Sequence, residues 1–375
     1  MSVRDTRPKL KTSSRASHYY YHCWNNLGSA FTSTISLFCF CYSSAFRISL
    51  AMVHLFSDTL EKNVCVGTGS SCVVYHASPT IVVKAVRRSN MEEKHPFLRE
   101  IEFIKALHER QDRCTDIIEC FLALPDHIFL SYCEFNQLGR RLNERQICET
   151  LSDGSPGRVI SVVKFDDLSL VARWIQQVSS ALEYIENMGF AHNNVHPRNC
   201  LLDRSLNLKL ADFDYTTTIG QWLTSSYAPW ARMLPAGPLK GSYGLCGART
   251  EQFAVGTLLY NLVYGHQPYD DLDLKNQDPE ELERRFQEME FFELGRHEIF
   301  DGLISACWYN VNPTMALLAY DFKRKTKALA SPLETEYLPI DTVKEKETCE
   351  ALIQKGLLGP DLARQFQRPV WHTSA

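Results

Sequence analysis

The chain has 375 residues, and at about 150 residues per domain that length suggests two or three units. Hydrophobic residues make up 45% and charged residues 22%, so a sizeable globular core needs no disulfide staples, and 18 Gly with 16 Pro are too few for a collagen-like or low-complexity chain. Forty Lys/Arg against 44 Asp/Glu leave a net charge of −4, and without a basic excess no nucleic-acid partner is expected.

The 13 cysteines are odd in number and scattered, without a C-x-x-C pair. That argues against a zinc knuckle or a disulfide scaffold and suits a reducing, intracellular and cytoplasmic setting. Residues 1–60 read unlike the rest. Arg4, Arg7, Lys9, Lys11 and Arg15 face a single acid, Asp5, and residues 16–46 carry no Asp, Glu, Lys or Arg. A membrane span is one reading, but residues 29–46 interleave seven Ser/Thr and run into Arg47. That falls short of the roughly 20 mostly apolar residues a span requires. A transit peptide is a second reading. The third is a disordered extension upstream of a start at Met52. On any of these the segment stands outside the folded unit, and membrane attachment is not expected.

From Val64 the pattern changes. Residues 72–75 and 81–86 are short β-branched runs that read as strands, residues 96–109 as a helix, and residues 128–132 as another apolar strand. Val171, Trp174, Ile175, Val178, Leu182 and Ile185 recur at helical spacing. Two short strands, 200–202 and 208–211, flank a turn at 203–207. Residues 215–250 hold Pro229, Pro235, Gly237, Pro238, Gly241, Gly244 and Gly247 among their Gly and Pro residues and read as a long loop. Residues 251–264 form a strongly apolar helix ended by Gly265. More helix follows to about Lys325. A charged tail then carries one further helix from about Asp341. A strand-rich first part before a helix-rich second part predicts an α+β pair of lobes.

Three places carry candidate chemistry. Gly67-Thr68-Gly69, between strand-like runs, lets backbone amides approach phosphates closely; a plain hairpin turn is the competing reading. Lys84 sits among apolar neighbours in Ile81-Val82-Val83-Lys84-Ala85-Val86 and is costly to bury unpaired. On the following helix Phe97, Ile101 and Ile104 define the apolar face. Glu100 lies about 60° from it and Glu102 about 140°, so Glu100 is the inward partner. A lysine snorkelling from an edge strand is the alternative. Finally, Asn199 and Asp212 bracket the two short strands as oxygen donors, an arrangement suited to Mg²⁺ shared with phosphate oxygens.

In this order the motifs resemble the protein-kinase superfamily, over roughly residues 62–325. The set comprises the glycine-rich loop, the strand lysine, the helix glutamate, His192-Asn193-Asn194 with Asn199, and Asp212-Phe213-Asp214. The segments 251–256, 264–269 and 306–308 add to it. The wording His-Asn-Asn and Asp-Phe-Asp resembles a divergent group of kinase-like proteins of filamentous fungi. The resemblance implies a two-lobed α+β fold, with a small β-rich N-lobe (61–135) and a larger helical C-lobe (136–326) within a domain of 61–326, followed by a helical tail (327–375).

The resemblance also implies roles. Gly67, Gly69 and Val74 would cover ATP phosphates. Lys84 would contact the α- and β-phosphates, held by Glu100, and Asn199 and Asp212 would hold Mg²⁺. His192, Phe213 and Ile104 would stack internally, and Glu251 would anchor the catalytic loop from below. Independently of the resemblance, the tail helix with Cys349, Leu352 and Ile353 is expected to dock on the large lobe, to bind a partner, or to pack as an exposed amphipathic helix.

The departures are as informative. Asn194 stands where the family has its catalytic aspartate, and an amide cannot take a proton at neutral pH. Its loss is worth about 10²–10⁴ in rate. His196 stands where the family has a phosphate-facing lysine, as a weaker, pH-dependent cation. Cys72 and Asp214 replace glycines. Asn193 replaces an arginine that reads a phosphorylated loop, so Thr216, Thr217 and Thr218 are poor activating phosphosites. No Ala-Pro-Glu closes that loop. The expected function is a kinase-like domain that binds ATP and Mg²⁺ with phosphoryl transfer impaired or lost, serving an unidentified protein substrate or signalling partner. The alternatives are an active Ser/Thr protein kinase, a small-molecule (aminoglycoside-type) phosphotransferase, and a scaffold without nucleotide.

Overall fold

The outer strands and the helix that carries Glu100 build the small lobe. A computed structural model describes residues 60–69, 71–87, 95–224, 226–329 and 340–366. The span, transit-peptide and extension readings of the N-terminal segment fall outside them. Strands β1 (Cys65–Thr68), β2 (Cys72–Ser78), β3 (Ile81–Val86), β4 (Cys120–Leu124) and β5 (His127–Ser131) form one antiparallel sheet in the order β1-β2-β3-β5-β4. Alternation along β3 sends Ile81, Val83 and Ala85 to one face and Val82 and Lys84 to the other. Both faces are covered, which is why β3 reads as a nearly continuous apolar run. Helix α1 (His95–His108) packs Phe97, Ile101, Phe103 and Ile104 into the same core as Val82.

The opposite face is covered by the tail. Helix α9 (Thr342–Gln354) and the turn into α10 (Pro360–Phe366) bring Cys349, Ile353 and Leu358 against Ile81, Val83, Ala85, Phe121 and Phe129. Thr80 Oγ1 donates to Glu345 Oε2 at 3.0 Å and Arg113 Nη1 to Thr342 Oγ1 at 3.0 Å. The tail therefore docks on the small lobe, not the large one as expected. The apolar residues of β3 and β5 present a sheet face there that the tail covers.

The large lobe holds α2 (Leu138–Asn143), the β6–β7 hairpin (Gln146–Thr150, Pro156–Val162), α3 (Leu168–Asn187), α4 (Ala248–Tyr264), α5 (Leu274–Gln277), α6 (Pro279–Gln287), α7 (Glu298–Trp308) and α8 (Met315–Thr326). Its short strand pairs are β9 (Cys200–Leu202) with β10 (Leu208–Leu210), and β8 (Phe190–Ala191) with β11 (Thr217–Thr218). α3 buries the predicted stripe from Val171 to Ile185. α4 is buried on every side from Thr250 to Val263, as a helix apolar all round must be. A Cβ on Gly256 would stand 2.6 Å from Cys307 Cβ, so glycine is what lets α7 approach α4. Among the described residues no helix is long and apolar enough to cross a membrane.

Candidate functional site

β3 presents Lys84 to the cleft because its neighbours take the outer face. Its Nζ lies 2.6 Å from Glu100 Oε2 and 2.5 Å from Asp212 Oδ1. Glu100 comes from the inner face of α1, while Glu102 is exposed, as the helical wheel requires. Asp212 follows β10, so one ammonium joins the sheet, the helix and the large lobe. Burial opposes the charge on Lys84, but Asp212 and Glu100 outweigh it and hold the ammonium well above its ordinary range. The two carboxyls part company. Burial raises Glu100 against the pull of Lys84, because its side chain is only 2% exposed. Asp212, 36% exposed towards the cleft, is lowered: burial opposes this, and the Lys84 ammonium prevails.

Asn199 enters β9 as Asp212 leaves β10, and Ala211 N donates to Asn199 O at 2.9 Å. The strand pair thus sets the two predicted oxygen donors at one end. Asn199 Nδ2 donates to Asn194 O at 2.9 Å, which leaves its Oδ1 as the group for another partner. The β1–β2 hairpin pairs Gly67 with Val74, and Val74 pairs in turn with Lys84 across β2 and β3. The glycine turn therefore hangs over the lysine.

His192 is fully buried. Its Nε2 donates to Ala211 O at 3.2 Å and its Nδ1 accepts from Asn194 N at 3.2 Å, which fixes a neutral tautomer. Burial pushes its pKa down to about 4. Its ring lies 5.1 Å from Phe213, whose other neighbour is Phe103 at 4.6 Å. Phe103 adds a tilted ring to this stack, and the expected Ile104 is buried in the same core. Glu251 accepts from His192 N (3.1 Å) and Asn193 N (2.9 Å), the predicted anchor beneath the loop. Burial raises its pKa to about 7 against those two bonds.

His196 differs from expectation. Burial, then Arg198, pushes its pKa down to about 4, and its ring meets Trp230 edge-on at 5.9 Å. These surroundings disfavour its charged form. Burial first, then repulsion from Asp212, raises Asp214 to about 8. The Asn194 carboxamide makes no hydrogen bond among the described residues.

Other residues escaped sequence reasoning. Asn193 Nδ2 donates to Ala191 O, Tyr215 O and Thr217 Oγ1, tying the loop to the turn after Phe213. Of the threonines there, Thr216 is buried and Thr217 is engaged by Asn193, while Thr218 is exposed. In place of an Ala-Pro-Glu motif the loop has Ala228-Pro229-Trp230. Glu283 on α6 accepts from Ala228 N and Tyr243 Oη, both at 2.8 Å, and Thr257 Oγ1 donates to Pro229 O at 2.7 Å. No local signal marks Glu283, one acid in a charged helix. Asn193 was legible only as a substitution.

A five-stranded lobe over a helical lobe, joined by a strand lysine between a helix glutamate and an inter-lobe aspartate, defines a protein-kinase fold. The chain belongs to the family described as protein tyrosine and serine/threonine kinase, which matches residues 61–315. It is 29% identical over 222 residues to serine/threonine-protein kinase ULK3 of Xenopus laevis, covering 54% of this chain and 41% of that protein. It is 27% identical over 234 residues to tyrosine-protein kinase ABL2 of Mus musculus, covering 62% of this chain and 18% of that protein. CBL-interacting serine/threonine-protein kinase 14 of Arabidopsis thaliana is 26% identical over 231 residues, with 57% and 46% covered. The chain spans less than half the length of each of these relatives.

Proposed function

We propose that this chain is a kinase domain that holds ATP with Mg²⁺ and whose phosphoryl transfer is impaired or lost. The carrying observation is Lys84, bonded at once to Glu100 and Asp212, in a loop system whose proton-accepting position is Asn194. The glycine turn supports it. Cβ atoms on Gly67 and Gly69 would meet nothing closer than 3.7 Å and neither has a positive φ, so the fold itself does not demand glycine there. Close approach of a ligand does. The residues present fit the nucleotide and its cation. Gly67, Gly69, Val74 and Lys84 would hold the triphosphate, with Glu100 orienting Lys84, and Asn199 and Asp212 would hold Mg²⁺. When bound, the cation would offset charge on the phosphate oxygens. His196, whose charged form its surroundings disfavour, and the amide of Asn194 stand where the family has a lysine and a base.

The ten described cysteines are all free thiols, which supports a reducing, intracellular compartment. A protein substrate or signalling partner remains part of the proposal.

The test pairs a thermal-shift titration of Mg²⁺–ATP with a γ-phosphate transfer assay on the same protein. A shift without transfer is the expected result. No shift would overturn nucleotide binding, and brisk transfer abolished by Lys84→Ala would overturn the loss of catalysis. The intact Lys84–Glu100 pair favours that second reading, an active kinase, since phosphoryl transfer leans mostly on positioning.

A further inference from the structure

We infer that Asp214 is an additional divalent-cation ligand, and that it lets this pocket take up the cation before nucleotide. The inference rests on the proposed site and goes beyond it, since the resemblance places glycine at this position.

Asp214 is 8% exposed, and its Oδ1 is shut off from solvent without a hydrogen-bond partner. A buried carboxyl oxygen left unbonded is costly, and an unmet ligand is a standard reason for one to persist. Asp214 stands two residues after Asp212 on the same turn, and the charges of Asp212, Lys84, Glu100 and Arg99 all act on it. Thr216, 4% exposed and bonded to Phe213 O through its own N–H, has an unpartnered hydroxyl on the same turn. Two orphaned oxygens therefore sit on one turn, next to the carboxylate that already faces the cleft.

The chemistry of these donors selects the ligand. Carboxylate, hydroxyl and amide oxygens suit a hard cation completed by water. Among the described residues no three His, Cys, Asp or Glu side chains gather as a ligand group, so the inference rests on two carboxylates, Asp212 and Asp214, with amide and hydroxyl oxygens and water completing the shell. Lys84 is already engaged by two carboxylates, so Asp214 is the acid it does not satisfy. With glycine at 214, the cleft would offer a cation one protein carboxylate and depend on nucleotide phosphates for the rest. With aspartate it offers two.

The experiment titrates Mn²⁺ into the nucleotide-free full-length protein and follows free Mn²⁺ by electron paramagnetic resonance. Asp214→Asn keeps shape but cannot ionise to bind a cation, Asp214→Gly removes the side chain, and circular dichroism confirms that both fold. Both variants are expected to weaken Mn²⁺ binding on the order of tenfold or more, as loss of an oxygen ligand requires. Equal Mn²⁺ affinity in the wild-type chain and Asp214→Asn, or no Mn²⁺ binding by the wild-type chain, overturns the inference. A parallel titration with ATP in the presence of Mn²⁺ separates the two ideas. Mn²⁺ binding that depends on Asp214 without ATP binding in any variant supports the cation ligand and defeats the nucleotide reading alone.

Discussion

Asn199 Nδ2 donates to the main-chain oxygen of Asn194 at 2.9 Å. The side chain proposed to face the cation thus holds the backbone of the residue proposed to face the acceptor hydroxyl. The Asn194 N–H is held as well, by His192 Nδ1 at 3.2 Å. Its backbone is fixed at both ends while its carboxamide is unengaged. Side-chain chemistry at 194 can therefore change without moving the loop.

On that basis Asn194→Asp is expected to raise γ-phosphate transfer by about 10²–10⁴, the usual worth of a general base. In barrier terms this is roughly 3–5 kcal/mol. The assay compares both proteins on a mixed peptide acceptor, with Lys84→Ala as background. An unchanged rate would show that the missing base is not what limits transfer.

Lys84→Met leaves Glu100 and Asp212 without their shared counter-charge. Removing one partner of a buried pair costs about 3–5 kcal/mol. The lower end is expected here, because Asp212 is partly open to the cleft. Urea denaturation of the full chain measures it. Glu100→Gln should cost less, since Lys84 keeps Asp212 and the amide still accepts a hydrogen bond. The reverse ranking would mean that the lysine is held mainly by other contacts.

The parts of this fold legible in the sequence were those set by short-range periodicity. The β3 run, the α3 stripe and the strongly apolar α4 announce themselves because burial fixes which residue types can occupy them. Lys84 and Glu100 were also legible, since a lysine in an apolar strand demands a partner and the helical wheel names it. The tail's position was not. Cys349 and Ile353 look like any weakly amphipathic face, and only the uncovered sheet face left by Ile81 and Val83 decides where they pack. Glu283 and Asn193 act through long-range bonds to backbone atoms, which leave no trace in residue spacing. How readily His196 takes a charge depends on its surroundings, which the local sequence does not reveal.

The tail should behave as part of the small lobe. Ile353 is fully buried, and Ile353→Ala is expected to cost about 2–5 kcal/mol. Deleting residues 340–375 would expose Ile81, Val83 and Phe129, each wholly buried now. A lower melting temperature and a greater tendency to aggregate are expected for the truncated chain. If truncation left the melting temperature unchanged, the contact between α9 and the sheet would contribute no stability.

Stability should also depend on pH through His192. Its pKa falls from 6.5 to about 4 in the fold, chiefly because burial excludes the charged ring. A base with a depressed pKa stabilises the fold fully above the unfolded value. That contribution is lost as pH falls from 6.5 towards 4, because the unfolded chain then binds the proton more readily. The slope from one such group is at most about 1.4 kcal/mol per pH unit. Glu251, raised to about 7, and Asp214, raised to about 8, act in the opposite sense. Comparing the wild-type chain with His192→Gln cancels contributions common to both. Between pH about 7 and about 5, the window in which an ordinary histidine titrates, the wild-type chain should lose stability more steeply than the variant. Parallel profiles would show that His192 takes up its proton as easily in the folded chain as in the unfolded one.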